Sequence, residues 1–597
     1  VREFSLPALY EVPPGGNLTD LIHRNAERTP DVAVVSRKVQ GQWADLTAAE
    51  FLTEVHRAAK GLVASGVQPG DRVGLMSRTR YEWTLLDFAV WCAGAITVPV
   101  YETSSAEQVE WILGDSGAVA VITETAKHEA VVGEVRDRLP LLKHVWQIDA
   151  GAVAELGTAG AGVPTQELHD RRATLGPDTV ATIVYTSGTT GRPKGCTLTH
   201  GNFLAELGNI TTDMRGIFRT GESSVLLFLP QAHVLGRIAE IAAATAPIKI
   251  GHLGDIKEVT AELAAFRPTL ILGVPRVFEK VYNSARAKAQ AEGKVKIFDR
   301  AAETAIAYSR ALDNGGASLS LRLRHKMFDA LVYSKLRAAL GGRATHAISG
   351  GAPLGERLGH FFRGVGFTVL EGYGLTETCA ATAYNPWDKP KIGKVGRPLP
   401  GSAVRIAEDG EVLLKGPHVF TGYWNNPKAT AEALRDGWFA TGDLGTVDDE
   451  GFLTITGRKK ELIVTAGGKN VAPAVIEDRI RAHPLIGEVM VVGDAKPFIA
   501  CLITIDPEFF VTWKQLHGKP AEATLAQLKD DPELLADVQA AVDDGNQAVS
   551  HAEAVKKFSI LDTVFSEDSG HLTPSMKLKR GVVLRDYAGE VEAIYGK

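Results

Sequence analysis

Cysteine is scarce in this chain: four residues in 597, at 92, 196, 379 and 501. They are too far apart for the paired spacing of a zinc site and too few for a disulfide scaffold, so a reducing, cytoplasmic setting is expected. An excess of positive charge is also lacking. The formal net charge is −6 at pH 7, which gives no global drive toward nucleic acid and suits a small anionic ligand held by local basic groups. Long apolar runs are missing too. The most apolar stretch, 85–101, is broken by Asp87, so no membrane-spanning helix is expected. The first residues, VREFSLPALYEVPPGG, lack the continuous apolar core of a secretory signal, and export is not expected. No internal repeat or low-complexity tract interrupts the chain. With 45% hydrophobic and 23% charged residues, it has the composition of a folded globular protein. Its length exceeds what one core sustains, so a large domain with a smaller companion is expected.

Along the chain, apolar runs of strand length alternate with amphipathic helical stretches. Thr47 and Glu50 form a capping-box pattern before a helix that carries Phe51, Val55, Ala58 and Leu62 and ends at Gly66. GDRVGLMS, AITVPVY and AVAVIT read as strands, with AEQVEWILGDSG as a helix between the last two. VATIVYTSG, SVLLFLP, PTLILGVP and HAISGG continue the pattern, each ending in a Gly- or Pro-containing loop. Such alternation predicts an α/β fold with mostly parallel, helix-covered sheets, in which ligands sit where strands end. From Lys391 the texture changes to short alternating strands, VRIAEDGEVLLKG and GFLTITGRKKELIV, which predict an antiparallel subdomain. EVMVVGD, ACLITID and a helical stretch near 520–552 form a small α+β unit. The charged run Gly457 to Glu461 marks the boundary, giving domains 1–459 and 460–597.

The sharpest chemical signal is the run from Tyr185 to Gly195, YTSGTTGRPKG. Its glycines free backbone N–H groups to face phosphate oxygens, Ser187, Thr189 and Thr190 add hydroxyl donors, and Lys194 adds positive charge. The P-loop spacing is not met, and Pro193 sits where a following helix would need an N–H.

This run resembles the signature of the adenylate-forming superfamily of acyl-CoA synthetases, adenylation domains and beetle luciferases. The superfamily's further motifs appear in order: SGGAPL at 349–354, EGYGLTET at 371–378, TGDLG at 441–445, GRKKELIVTAGGKNVAP at 457–473 and LTPSMKLKR at 572–580. YETSSAEQV, LPQAHVLGR and VPRVFEKVY resemble bacterial long-chain fatty acyl-CoA synthetases in particular. The resemblance covers nearly the whole chain.

It implies ATP, Mg²⁺ and coenzyme A as partners of a fatty acid substrate, and a site assembled from these motifs. Thr186, Ser187, Gly188, Thr189, Thr190 and Lys194 would hold the phosphates. Gly350, Gly351, Ala352 and Pro353 on one side, and Tyr373 with Glu371, Gly372 and Gly374 on the other, would enclose adenine. Thr376 would touch phosphate, Glu377 with Thr189 would hold magnesium, and Asp443 would take the ribose hydroxyls with Ile455 and Arg458 nearby. Lys577 would be the catalytic lysine. Alternation alone places Lys577 and Lys579 on one face, so the choice between them rests on the motif. Lys460 would be the hinge of a mobile C-terminal domain, whose rotation brings Gly467 and Gly468 toward coenzyme A. His233 would sit where acyl pocket and thiol channel meet.

The implied function is activation of a long-chain fatty acid as acyl-AMP and transfer to coenzyme A. The alternatives are a ligase that loads a carrier protein and a non-catalytic nucleotide- or lipid-binding homologue. Nucleic acid binding is not expected. Peripheral membrane contact and homodimer formation stay open, because neither has a code in this sequence.

Overall fold

The computed structural model describes residues 2–186 and 192–596. Its first layer is a seven-stranded sheet. Strand Arg72–Met76 runs parallel to Ile96–Val100 on one side and Ala120–Thr123 on the other. The anticipated helix between those flanking strands, Ala106–Ser116, has its own capping box, Ser105 with Gln108, and stops at Gly117 with φ +67°. The Thr47–Glu50 capping box forms as the sequence predicts and opens helix Ala48–Ala64. Strand Val180–Thr186 joins the sheet beside Ile96–Val100, then pairs antiparallel with Lys194–Thr199 in a register that sets Thr186 opposite Lys194. The phosphate-type motif therefore links two strands of a hairpin, where a P-loop would lead into a helix.

A nine-stranded sheet packs beside it. Its parallel core contains Ser224–Leu227, Leu270–Gly273, His346–Ser349 and Thr368–Tyr373. One edge is a hairpin of Ala33–Val39 with Gln42–Thr47, joined in parallel through Lys249–His252. Between the sheets lie apolar helices, among them Tyr81–Cys92, buried on nearly every side. Asp87 interrupts that apolar run for a reason. Its carboxylate takes two hydrogen bonds from Arg237, at 2.6 and 2.8 Å, and both side chains are fully buried. Trp83 and Trp91 face the same guanidinium at 5.0 and 5.4 Å.

The β-rich region is an antiparallel sheet of Ala403–Ile406, Glu411–Lys415, Trp438–Val447 and Leu453–Arg458. The N-terminal strand Arg2–Ser5 closes one edge by pairing with Ala403–Ile406, a contact across some four hundred residues that no local pattern announces. Beyond Arg458 the chain builds a separate sheet from Ile486–Val492, Ile499–Ile505 and Val555–Leu561. Helices Pro473–Arg481 and Pro532–Asn546 bury one face and the last two helices bury the other, giving this part its own cores. All four cysteines are buried and unbridged. Among the described residues, no helix is long and apolar enough to cross a membrane.

Candidate active site

The parallel strands Val180–Thr186, His346–Ser349 and Thr368–Tyr373 run out at one wall of a cavity of about 2100 Å³, the position expected of a ligand site in such sheets. Tyr373 is the last residue of its strand. Its hydroxyl donates to Asp443 Oδ2 at 2.6 Å, and Arg458 Nε lies 3.2 Å from Asp443 Oδ1. Asp443 and Arg458 face each other because their strands pair in that register. Burial raises the Asp443 pKa, with Arg458 and the Tyr373 hydroxyl opposing the rise; burial beside this carboxylate also holds the tyrosine well above its usual value, as a proton donor.

Gly350, Gly351, Ala352 and Pro353, which follow strand His346–Ser349, line the same cavity, and Gly351 has φ +88°. Glu371 stands behind this loop, outside the cavity wall. Its Oε1 accepts the Leu354 N–H at 2.8 Å, and burial pushes its pKa up to about 7. Glu371 thus positions the loop, while Gly372, Tyr373 and Gly374 face the cavity. A Cβ on Gly374 would come within 1.2 Å of the Ala380 carbonyl oxygen, so only glycine permits the turn that carries Thr376 and Glu377.

Thr376 and Glu377 line the cavity. Glu377 Oε1 accepts the Tyr423 hydroxyl at 2.9 Å, which fixes the carboxylate and leaves its second oxygen to other donors. Tyr423 also lies 4.7 Å from Lys194 Nζ, across the face of its ring. Thr186 and Lys194 border the cavity from the hairpin. The remaining expected phosphate contacts, Ser187, Gly188, Thr189 and Thr190, fall outside the described residues. Tyr423 was invisible to the motif reading, since its neighbours in sequence carry no signature and it meets Glu377 only through the fold.

Lys577 enters the cavity from the C-terminal unit. Thr573 holds its loop through Thr573 N–H to Lys577 O at 2.8 Å and Lys577 N–H to Thr573 Oγ1 at 3.0 Å, with Met576 in the left-handed region at φ +63°. That turn breaks the extended alternation on which the two lysines would share a face. Lys577 goes to the cavity and Lys579 to the neighbourhood of Glu567. Lys577 is exposed within the cavity it lines. Desolvation and Arg458 lower its pKa, and Asp443, Glu377 and Glu461 oppose that. Ile455 and Lys460 also border the cavity, whereas Gly467 and Gly468 lie on an exposed turn away from it.

His233 also lines the cavity, beside Val234, Leu235 and Ile238 of the helix it precedes. It caps helix Val234–Thr245, its Nδ1 accepting the Leu235 N–H at 3.1 Å, and burial lowers its pKa to about 4. A neutral ring with Nδ1 so occupied carries its proton on Nε2 and offers a donor there. Much of the lining is apolar: Ile210 of helix His200–Asp213, Met214 and Phe218 just beyond it, and Ile238 and Ala242 of helix Val234–Thr245. The sequence reading missed these walls, because aliphatic residues lining a tunnel look the same as those filling a core.

One cavity thus gathers Tyr373, Asp443 and Arg458 in mutual contact, with Lys577 reaching it from the C-terminal unit, the arrangement expected of the adenylate-forming class. Family models agree: the one described as AMP-binding enzyme matches residues 22–424, and the one for the AMP-binding enzyme C-terminal domain matches 460–597. The chain belongs to the AMP-binding enzyme family. It is 53% identical over 600 residues to the long-chain-fatty-acid–CoA ligase FadD15 of Mycobacterium bovis, and 52% identical to FadD15 of Mycobacterium tuberculosis, with 100% of both chains covered in each comparison. Among solved structures it resembles ATP-bound MatB from Rhodopseudomonas palustris, at 25% identity and TM-score 0.68 over 96% of this chain and 99% of the other. The AMP complex of O-succinylbenzoate coenzyme A synthetase from Bacillus subtilis, at 22% identity and TM-score 0.68 over 94% and 97% of the two chains, shows the same fold.

Proposed function

We propose that this protein joins a long-chain fatty acid to coenzyme A in two steps at one site, at the expense of ATP. The observation that carries the reading is the cavity itself: its lining combines Tyr373, Asp443, Arg458 and Lys577 with His233 and a set of aliphatic side chains that includes Ile210, Met214, Ile238 and Ala242. In the first step a carboxylate oxygen of the acid attacks the α-phosphorus of ATP and the bond to pyrophosphate breaks. Asp443 holds the ribose hydroxyls and Tyr373 lies against adenine. Lys577 meets the charge that builds on the α-phosphate, and that anionic partner offsets the desolvation lowering its pKa. Glu377 is the carboxylate suited to Mg²⁺: it is ordered by Tyr423, has an oxygen to spare, and a hard cation that keeps several waters needs few protein ligands. Such an ion would neutralise phosphate charge.

In the second step the coenzyme A thiolate attacks the acyl carbonyl carbon and AMP leaves. We assign the boundary between the two units to Lys460 and the unit 460–597 to the moving part. The arrangement described here, with Lys577 inside and Gly467 and Gly468 outside, suits the first step. A rotation at Lys460 would exchange them for the second. The test is mass spectrometry of products from purified protein, Mg-ATP and acids graded by length, with and without coenzyme A. Acyl-CoA appearing with AMP, best from long acids, is expected. Acyl-adenylate that persists with coenzyme A present would point to a carrier-loading ligase, and no acid-dependent AMP would overturn the reading.

A further inference from the structure

An uncovered apolar stripe runs along the helix Leu319–Phe328 and the π-type turn Asp329–Tyr333 that continues it. Leu319, Leu323, Met327 and Leu331, one every four residues, are 74%, 62%, 49% and 52% exposed. The opposite face, with Leu321, Phe328 and Tyr333, is buried against the protein. Single exposed leucines are ordinary, but a stripe in helical register is not. At about 3.6 residues per turn, Arg322 and Lys326 fall along one side of it and Arg324 along the other. All three are exposed, as is Lys335 one turn further on. The acid of this segment, Asp329, is paired with Arg337 at 2.6 Å. A chain with net charge −6 thus gathers positive charge on both sides of its most exposed apolar helix.

We propose that this helix is a docking surface for an anionic phospholipid bilayer, lying flat with its leucines among the acyl chains and its basic groups on lipid phosphates. Long Arg and Lys side chains suit that depth, since their stems cover apolar surface while their heads reach outward. The neighbouring helix Val295–Asp313 packs against it and adds exposed Ile297 and Leu312. That same helix carries Arg310, which is exposed and borders the large cavity with Arg286 and Tyr282, so a docked face would lie beside an opening of that cavity. The inference rests on this surface alone and does not depend on the proposed reaction.

The test is co-sedimentation of the full chain with vesicles of phosphatidylcholine, or of phosphatidylcholine with phosphatidylglycerol. Binding to the anionic vesicles should be on the order of tenfold tighter and should weaken with salt. Leu323→Glu with Leu331→Glu should remove it. Arg322→Gln, Arg324→Gln and Lys326→Gln together should abolish the preference for anionic lipid. Thermal unfolding reports whether each variant keeps its fold, independently of any activity. Binding that ignores lipid charge and survives both sets of substitutions would overturn the proposal. So would no binding at all, or a wild-type dimer in sedimentation velocity that the two glutamates dissociate.

Discussion

At the scale of single residues, the two lysines of PSMKLKR separate a physical argument from a motif. Both are charged and two apart, and only the turn at Met576 sends Lys577 into the cavity. Lys577→Ala should lower acyl-adenylate formation about 10²- to 10³-fold, the scale for removing a group that meets transition-state charge. Thioester formation from supplied acyl-AMP should fall far less, and parallel loss of both half-reactions would remove Lys577 from its assigned step. Motif spacing also named Glu371, yet not its partner, because the direction of a side chain at the end of a strand depends on what packs behind it. Its carboxyl has a pKa raised from 4.5 to about 7 by burial. The folded form therefore holds this proton more tightly than the unfolded chain does. The stabilisation is fully present below about pH 4.5 and is lost as pH rises through about 7. Glu371→Gln keeps the acceptor for Leu354 and removes the titration. In denaturant titrations between pH 5 and 7, the variant should lose less stability than wild type, by on the order of 2–3 kcal/mol across the whole window. Equal slopes would mean that Glu371 is already ionised in the folded protein.

At the scale of elements, strands and capped helices of the parallel sheets were legible because hydrophobic period and cap chemistry are local. Pairings between distant segments were not. Asp87 looks like a flaw in an apolar helix until Arg237, one hundred and fifty residues later, supplies its counter-charge. That pair ties helix Tyr81–Cys92 to helix Val234–Thr245, which His233 caps and whose Ile238 and Ala242 line the cavity. Arg237→Ala would strand a buried carboxylate and should cost about 3–5 kcal/mol in urea unfolding. Replacing both partners, Arg237→Met with Asp87→Leu, should cost clearly less. If the double variant is the less stable, the pair is worth more than its desolvation. The turn 374–380 gives the complementary case, in which sequence was informative for a backbone reason. With the Ala380 oxygen where its Cβ would stand, Gly374→Ala should displace Glu377 and abolish most acid-dependent AMP formation, while far-UV circular dichroism stays that of wild type.

At the scale of the whole molecule, the composition and the charged run at 457–461 pointed to two units, but not to what holds them in one arrangement. Arg276, at the start of helix Pro275–Ala291, reaches into the C-terminal unit, donating to Gly487 O at 2.6 Å and to Glu488 Oε1 at 3.2 Å. Arg481 approaches the other oxygen of Glu488 at 3.5 Å. Glu279 lies against the same group, and burial lifts its pKa to about 7. These contacts exist only while Lys577 is in the cavity, if the smaller unit rotates as proposed. Arg276 is partly exposed, so the contact is screened and contributes about 0.5–1 kcal/mol. Arg276→Ala should then slow adenylation about two- to fivefold and leave, or raise, the rate of thioester formation. Lys460→Pro should do the opposite. Proline fixes φ at the residue where the rotation is assigned, so a chain able to hold the present arrangement would adenylate normally but would fail to bring Gly467 and Gly468 to coenzyme A. Both half-reactions can be followed separately, by pyrophosphate release and by acyl-CoA formation from supplied acyl-AMP. Opposite biases in the two variants would locate the pivot at 460 and a latch at 276, whereas equal effects on both steps would place the moving boundary elsewhere.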